Sequence, residues 1–298
     1  MSSATAAATG HWRATAILIG FALLTLPLMP VQALLLYTNP RSARVFPHWY
    51  HRQVCRLLGI RLTITGAIAR DKPVLVIANH SSWLDIPVLS AVAPVAFIAK
   101  KEVAGWPFVS QLARLQRSVF VDRTRRTAVG ATTSEMTQRF SDGDALVLFA
   151  EGTSTDGNRV LPLRTSLFGA VMPGANGDKA PPTMVVQTCA VVYGHLHGLP
   201  INRGGKPLVG WYGDMAMGSH AWALLKAGPL DVSITIGEAV AISSFKDRKE
   251  VARHAEAELR RSVVHLLRRR PFGEAVIATA PIPAETTLPK SRSSANWT

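Results

Sequence analysis

The sequence predicts an α/β protein in which a mixed sheet is flanked by helices, with a membrane-associated helical segment at the N-terminus. Three observations support this class. Short apolar runs alternate with helical patterns between about residues 73 and 269. Polar residues directly follow two of these runs, as they do where α/β proteins place their chemistry. Residues 14–37 contain no charged side chain.

The N-terminal segment 14–37 predicts the membrane attachment. As a helix it would be about 36 Å long, enough to span a hydrocarbon core of about 30 Å. Pro27 and Pro30 are expected to kink it, so a re-entrant or interfacial helical pair is the alternative to a straight span. A signal peptide cleaved near Ala33 is a further alternative, but the apolar run is long for one and its basic flank lies on the wrong side.

The charge distribution indicates the partner. The chain has 33 Lys and Arg against 19 Asp and Glu, a formal net charge of +14. No acidic residue precedes Asp71, whereas arginines are frequent there: Arg13, Arg41, Arg44, Arg52, Arg56, Arg61 and Arg70. Because this acid-free region surrounds an apolar segment and nucleic-acid reader motifs are absent, we expect anionic membrane lipids, and not nucleic acid, as partners. The arginines that follow the segment predict the inner (cytoplasmic) membrane, with the folded domain on the cytoplasmic face.

The sheet is predicted from "PVLVIA" at 73–78, a continuous apolar run typical of a buried strand. Further strands are expected at 95–99, 118–122, 144–150, 184–193 and 231–237, and helices at 125–141 and 247–269. The last helix carries an apolar stripe, which predicts that the helix packs against one face of the sheet. The alternative is a helix that lies on the membrane surface. The stripe comprises Val251, Ala255, Leu259, Val263 and Leu266.

Three regions follow from these patterns: an N-terminal membrane-anchoring helical region at 1–58, one folded domain at 59–275 and a disordered tail at 276–298. The tail is rich in Pro, Thr and Ser. Cys55 and Cys189 are the only two cysteines, so a disulfide framework is not expected and a reducing compartment is favoured.

The stretch "NHSSWLD" at 79–85 follows the strand at 73–78 and is expected to open a helix, with Asn79 or Ser81 as N-cap. A neutral imidazole can take a proton from an alcohol, and a carboxylate on its other nitrogen fixes the tautomer. Neighbours on one helical face are three or four residues apart. We therefore expect His80 before the first turn, with Asp85 reaching back to it.

No GxSxG nucleophile motif is present, which excludes the ordinary serine hydrolase plan. Ser81 and Ser82 adjoin His80 but are better explained as caps. His80 would then be a general base for a hydroxyl group of the substrate. Two further segments place polar residues after strands: Arg123 in "VFVDR", and Glu151, Gly152 and Thr153 in "FAEGTSTDG".

Together and in this order, these segments resemble the glycerolipid (lysophospholipid) acyltransferase family. The first family motif, NHxxxxD, is matched by Asn79, His80 and Asp85. The second, an apolar run ending in arginine, is matched through Phe120 and Arg123.

The third and fourth motifs are matched with departures. The third, usually FPEGT followed by arginine, has Ala150 where proline is usual and Ser154 where arginine is usual, and its matching residues are Phe149, Glu151, Gly152 and Thr153. The fourth, an apolar strand with a proline, falls on "VVQTCAVVY", where Thr188 occupies the proline position. The resemblance extends over roughly 60–240 and the membrane-associating N-terminus.

A finer resemblance lies in "GLPINR" at 198–203 and "WYGDMAMGSH" at 211–220. These stretches are similar to the bacterial branch that includes lyso-ornithine lipid acyltransferases, which is closely related to 1-acylglycerol-3-phosphate acyltransferases. Asp214 is a candidate partner for the ammonium group of a lyso-ornithine head group. The alternative is that Asp214 caps a turn after Gly213.

The resemblance implies an O-acyltransferase that moves a fatty acyl group from acyl-carrier protein or coenzyme A to the hydroxyl of a lysolipid. His80 would be the base and Asp85 its orienting carboxylate, while Arg123, Glu151, Gly152 and Thr153 would hold the acceptor. No cofactor and no metal site is expected, because no Cys or carboxylate set accompanies the histidines His195, His197 and His220. A non-catalytic lipid-binding protein and a thioesterase that uses water are the alternatives.

Overall fold

The computed structural model describes residues 3–70, 72–121, 126–171 and 183–268. In chain order the elements are α1 (Ser3–Thr38), α2 (Pro40–Leu58), β1 (Ile60–Thr65), β2 (Val74–Ala78), α3 (Asp85–Val92), β3 (Ala96–Lys100), α4 (Val109–Leu115), β4 (Val119–Val121), α5 (Arg126–Ser141), β5 (Ala145–Phe149), α6 (Thr165–Val171), β6 (Val185–Leu196), β7 (Leu199–Pro200), α7 (Met217–Ala227), β8 (Leu230–Ile236), β9 (Val240–Ala241) and α8 (Arg248–Arg268). Short 3₁₀ helices lie at Lys101–Gly105, Arg203–Leu208 and Ile242–Ser244.

Within the described residues, nine strands form one mixed sheet. Seven of them run in the order β1-β8-β6-β2-β5-β3-β4, and the short β7 and β9 both pair with β6. The central strands β6, β2, β5, β3 and β4 are parallel to each other, whereas β8 is antiparallel to β6 and parallel to β1. The predicted fold class is therefore confirmed.

Helices cover both faces of the sheet. All five residues of β2 are fully buried, and its side chains alternate between two apolar clusters, with Leu75 in one and Val76 in the other. The cluster around Leu75 contains residues of α5, α6 and α8; the cluster around Val76 contains residues of α2, α3 and α7. This two-sided burial explains the continuous apolar run of β2. The predicted stripe of α8 is buried against the sheet, so its interpretation as a cover is confirmed.

Helix α1 is docked along the folded domain. The Arg13 guanidinium donates hydrogen bonds to the carbonyls of Leu58 (2.9 Å) and Leu225, in the last turns of α2 and α7. A guanidinium there satisfies carbonyls that have no partner within their own helices. Farther along, Thr25 bonds to the Tyr50 hydroxyl at 2.7 Å, and the Gln32 amide donates to carbonyls of α2 and α4.

The outer side of α1 is exposed and apolar. Thr9–Thr38 is long and apolar enough to cross a membrane by length and composition, and only 17% of its most apolar window is buried. Pro27 and Pro30 lie inside this helix, which continues to Thr38. The large exposed side chains are Trp12, Leu18, Ile19, Leu23, Leu26, Val31, Leu34 and Tyr37.

Helix α2 falls inside the helical region expected at 1–58, but its bounds were not predicted, and some other elements were not predicted at all. Helix α2 begins after Asn39, whose side chain accepts a hydrogen bond from the Ser42 amide, and ends at Gly59 with φ of 74°. The edge strand β1 and helix α7 were also missed. The two cysteines are free and buried, and burial raises the pKa of each thiol to about 12. The predicted tail at 276–298 lies outside the described residues.

Candidate active site

The site lies where two neighbouring parallel strands end. Strands β2 and β5 pair so that Ala78 is opposite Phe149. His80 and Glu151 each follow two residues later, so the sheet register brings them to the same edge. The carboxyl ends of strands are where open α/β sheets bind their ligands.

His80 and Asp85 form a direct hydrogen bond, which confirms the expected geometry. The Nδ1 atom of His80 is 2.8 Å from Oδ2 of Asp85, which is the first residue of α3. An ionised carboxylate can only accept, so Nδ1 carries the proton and Nε2 keeps its lone pair. The His80 side chain is 21% exposed and that of Asp85 is fully buried. The accessible atom with basic character is therefore Nε2 of His80.

The buried Asp85 carboxylate is surrounded by donors. Its Oδ2 also accepts hydrogen bonds from the amides of Ser81 (2.8 Å) and Ser82 (3.0 Å). Its Oδ1 accepts a 2.6 Å hydrogen bond from the hydroxyl of Tyr193 on β6. Burial raises the pKa of Tyr193 well above its usual range, so this hydroxyl stays a donor. These bonds compensate the carboxylate for the loss of water.

The predicted N-cap was wrong. The Asn79 amide bridges to β6, donating to the Val191 carbonyl at 2.9 Å and accepting from the Val191 amide at 2.8 Å. Asn79 thus extends the sheet contact after β2 has ended. The amide of Ser81 donates to Asp85, and α3 begins only at Asp85, with no side-chain cap on the preceding Leu84. The Asp85 carboxylate satisfies the loop amides that a cap would otherwise address.

Glu151 holds the backbone of His80. One carboxylate oxygen accepts from the His80 amide at 2.9 Å and the other accepts from the Leu161 amide at 2.8 Å. The residue is only 2% exposed, and burial raises the pKa of its carboxyl to about 7. The Thr155 amide donates to the His80 carbonyl at 2.9 Å. Glu151 and Thr155 therefore hold the backbone amide and the backbone carbonyl of His80 in place.

Two contacts around the segment 151–155 restrict the orientation of the His80 ring and the conformation of the turn at Gly152. The Phe149 ring stacks on the His80 imidazole with centroids 4.1 Å apart and planes tilted by 21°. Gly152 has φ of 76°, and a Cβ there would lie 2.9 Å from the Cδ of Arg164. The positive φ favours glycine, and any Cβ would also force the exposed Arg164 side chain to shift.

A cavity of about 750 Å³ opens beside His80. Its lining is mostly apolar, and α1, α2, α3 and α4 contribute residues that include Phe21, Leu28, Phe46, Val54, Ile86 and Leu112. Gly152 and Thr153 line it, and so do Trp211 and Tyr212. A cavity of this size and lining suits a long apolar ligand whose reactive end lies at the imidazole.

The structure brings together most of the predicted site residues. His80, Asp85, Glu151, Gly152 and Thr153 lie at one edge of the sheet, whereas Arg123 lies outside the described residues. Asp214 is exposed and follows the cavity residues Tyr212 and Gly213. Its carboxylate has no hydrogen-bond partner among the described residues, so the turn-capping alternative has no bond to support it.

Sequence reasoning missed Tyr193 and Thr155. Tyr193 closes an apolar strand and looks like a core residue, and no local signal points to Asp85, which is distant in the chain. No group of three or more His, Cys, Asp or Glu side chains in the described part of the chain could hold a metal ion.

Comparisons with known proteins agree with this geometry. A family profile described as "Acyltransferase" matches residues 59–192. The lyso-ornithine lipid O-acyltransferase of Rhizobium meliloti is 42% identical over 250 residues, covering 83% of this chain and 85% of the relative. The lyso-ornithine lipid O-acyltransferase of Brucella abortus is 43% identical over 252 residues, covering 85% of this chain and 94% of the relative. The crystal structure of the 1-acyl-sn-glycerophosphate acyltransferase of Thermotoga maritima matches with a TM-score of 0.64 at 19% identity, covering 88% of this chain and 97% of that one.

Proposed function

Because the chain belongs to the acyltransferase family, we propose a reaction and residue roles for its active site. The protein is a lysolipid O-acyltransferase of membrane lipid biosynthesis. The observation that carries the proposed mechanism is the 2.8 Å bond between His80 and the buried Asp85, beside a large apolar cavity that His80 lines. A base and a cavity for an acyl chain are what acyl transfer to a hydroxyl requires.

In the proposed reaction, Nε2 of His80 takes the proton of the lysolipid hydroxyl. The oxygen forms a bond to the carbonyl carbon of an acyl thioester, the carbon–sulfur bond breaks, and the imidazolium returns the proton to the leaving thiolate. Asp85 holds the tautomer and stabilises the transient imidazolium. The acyl donor is acyl-carrier protein or coenzyme A, and the reaction uses no cofactor.

The other site residues receive roles from their contacts. Both oxygens of Glu151 bond to backbone amides, which supports a role in positioning His80 and the segment at Leu161. Gly152 and Thr153 line the cavity and would contact the acceptor directly. Arg123, which the family resemblance assigns to the acceptor, would bind its anionic group.

Lyso-ornithine lipid is the proposed acceptor, with 1-acylglycerol-3-phosphate as the alternative. The relatives from Rhizobium meliloti and Brucella abortus carry the first name. A lyso-ornithine head group has a carboxylate and an ammonium, and therefore needs an acidic partner as well as a basic one. Asp214 supports this choice because it is exposed and follows two cavity residues.

Paired acceptor assays test this choice. Asp214→Asn should weaken use of lyso-ornithine lipid by about 1.5 to 3 kcal/mol, the range for a hydrogen bond to a charged group. Use of 1-acylglycerol-3-phosphate should hardly change. Glu238→Gln, an exposed carboxylate beyond the end of β8, is the matched control. Equal losses on both acceptors would make Asp214 structural, and wild-type activity on 1-acylglycerol-3-phosphate alone would refute lyso-ornithine lipid.

Thiol release from the donor separates acyl transfer from hydrolysis. Purified protein with an acyl thioester should release thiol only when lysolipid is added, in equal amounts to the acylated product. Release at the same rate without lysolipid would indicate a thioesterase. Absence of both activities in folded protein, with several donors and both acceptors, would favour the non-catalytic lipid-binding alternative.

We propose that the N-terminal helices attach the protein to the inner membrane, with the folded domain on the cytoplasmic face. Residues 1–58 would form the anchoring region and 59–275 the acyltransferase domain. The arginines that follow the apolar segment and the exposed apolar side of α1 support this assignment.

A further inference from the structure

We infer that the exposed turn at Trp106–Phe108 is a second membrane contact, which holds the mouth of the cavity against an anionic lipid surface. This entrance turn lies between the 3₁₀ helix Lys101–Gly105 and α4. It is separate from α1. The inference rests on the proposed function only because it requires a substrate that resides in a membrane.

The entrance turn exposes two large aromatic side chains. Trp106 is 37% exposed and Phe108 is 40% exposed, and Pro107 between them is exposed as well. Single exposed apolar residues are ordinary on a protein surface. Two exposed aromatic rings on one short turn, of which Trp106 also lines the apolar cavity, form a patch of the kind that contacts lipid.

Phe108 occupies a strained backbone conformation. Its φ is 63° and its ψ is −49°, and the Val109 amide donates to the Pro107 carbonyl at 2.7 Å. This is a γ-turn of the rarer hand, which strains any residue with a Cβ. Strained residues of this kind cluster at functional sites. Glycine, which has no Cβ, would be less strained than phenylalanine at this position.

The entrance turn is continuous with the membrane-facing side of the protein. Trp106 and Val109 line the same cavity as Met29 of α1. The Gln32 amide of α1 donates to the Leu115 carbonyl at the end of α4 at 2.8 Å, so α1 and α4 are fixed side by side. A lipid surface that covers the exposed side of α1 would extend to the entrance turn.

The charges beside the entrance turn favour anionic lipid. Lys100 lines the cavity and is exposed, and Arg114 is exposed on the last turn of α4, while Glu102 is the one acidic residue between them. Basic side chains next to apolar rings attract anionic head groups while the rings enter the interface. In this arrangement a lysolipid passes from the membrane into the cavity without crossing water.

A spin label tests the contact without using enzyme activity. Cys55 and Cys189 are buried and the pKa of each thiol is about 12, so a single added cysteine can be labelled selectively. Phe108→Cys would carry a nitroxide in the full chain on vesicles of phosphatidylethanolamine and phosphatidylglycerol. Val264→Cys on α8 is the control, because Val264 is exposed to a similar degree, 42%, on the opposite face of the sheet.

The label at 108 should be accessible to oxygen dissolved in lipid and protected from a water-soluble nickel chelate. The label at 264 should show the reverse. Equal access of the nickel chelate to both positions would overturn the inference. Lipid exposure at 264 but not at 108 would instead make α8 the second contact.

Phe108→Gly separates membrane contact from folding. Glycine adopts positive φ freely, so the melting temperature should stay the same or rise. Activity on lysolipid in vesicles should fall by roughly tenfold, the lower end of what burial of a phenylalanine ring contributes. Activity on short-chain, water-soluble donor and acceptor should be unchanged. An equal loss on both substrates, or no loss on either, would overturn the inference.

Discussion

Asp85 connects the chemistry of single residues to the fold. Its carboxylate bonds to His80, to two loop amides and to Tyr193, so α3, the loop after β2 and strand β6 meet at one side chain. His80 is held in turn by Glu151 and Thr155 through its backbone. The imidazole therefore needs little rearrangement before it accepts a proton.

The Tyr193 hydroxyl is expected to position Asp85. Tyr193→Phe removes a hydrogen bond to a charged group, worth about 1.5 to 3 kcal/mol, and should lower kcat by roughly tenfold or more with little effect on KM. Steady-state kinetics measure kcat and KM separately.

The control for this variant is Tyr37→Phe, at an exposed position on α1. It should leave kcat and KM unchanged. A rise in KM with unchanged kcat for Tyr193→Phe would contradict the positioning role.

Glu151 should make stability depend on pH. Its folded pKa of about 7 is above the ordinary value of 4.5, so the folded state keeps a proton that the unfolded state loses. The resulting stabilisation is present below about pH 4.5 and is lost as pH rises towards 7. Glu151→Gln removes this dependence, and denaturant unfolding at several pH values measures it. Identical slopes for both proteins between pH 5 and 7 would contradict the assignment.

At the residue scale, the sequence predicted the groups that share a motif. His80 and Asp85 are five residues apart, and Glu151 follows the strand next to β2, so local patterns were enough. Tyr193 and Arg164 could not be found this way, because their partners are brought to them only by the register of the sheet and by a loop. Asp85, rather than Asn79 or Ser81, accepts hydrogen bonds from the loop amides, and the same carboxylate bonds to the His80 ring.

At the element scale, continuous apolar runs identified the central strands, and an apolar stripe identified α8. Helix α2 lies inside the helical region predicted at 1–58, but its bounds were not predicted although Asn39, Pro40 and Gly59 mark them, because its interior mixes basic and aromatic residues with Pro47. Strand β1 was missed because it lies at the edge of the sheet and only Ile60 is buried. Edge strands lack the two-sided burial that makes a sequence pattern visible.

The exposed side of α1 should hold the protein on membranes independently of salt. Burial of apolar side chains does not depend on ionic strength, so a high-salt wash should leave the protein in the membrane fraction. Leu23→Asp with Leu34→Asp should move much of it to the soluble fraction. The control is the same pair of changes at Val264 and Leu267 on α8, which should leave the protein in the membrane fraction. Release of wild-type protein by salt would contradict attachment through α1.

At the scale of the whole molecule, α1 is fixed to the domain at Arg13, Thr25 and Gln32. A helix held along its length in this way lies beside the domain instead of leading away from it. We therefore expect the N-terminus and the domain on the same side of the membrane. Tags at both ends should be digested by protease in inside-out vesicles and protected in spheroplasts. Digestion of the N-terminal tag in spheroplasts would indicate a straight span.

The central claim is that His80 is the general base of acyl transfer, and the most direct measurement is the turnover of purified His80→Ala. Removal of a general base costs about a hundredfold or more. We expect that loss with an unchanged melting temperature, and Asp85→Asn should also be severe because it releases the imidazole tautomer. His265→Ala, at an exposed histidine on α8, should keep the wild-type rate. Acyl transfer near the wild-type rate by folded His80→Ala would contradict the mechanism.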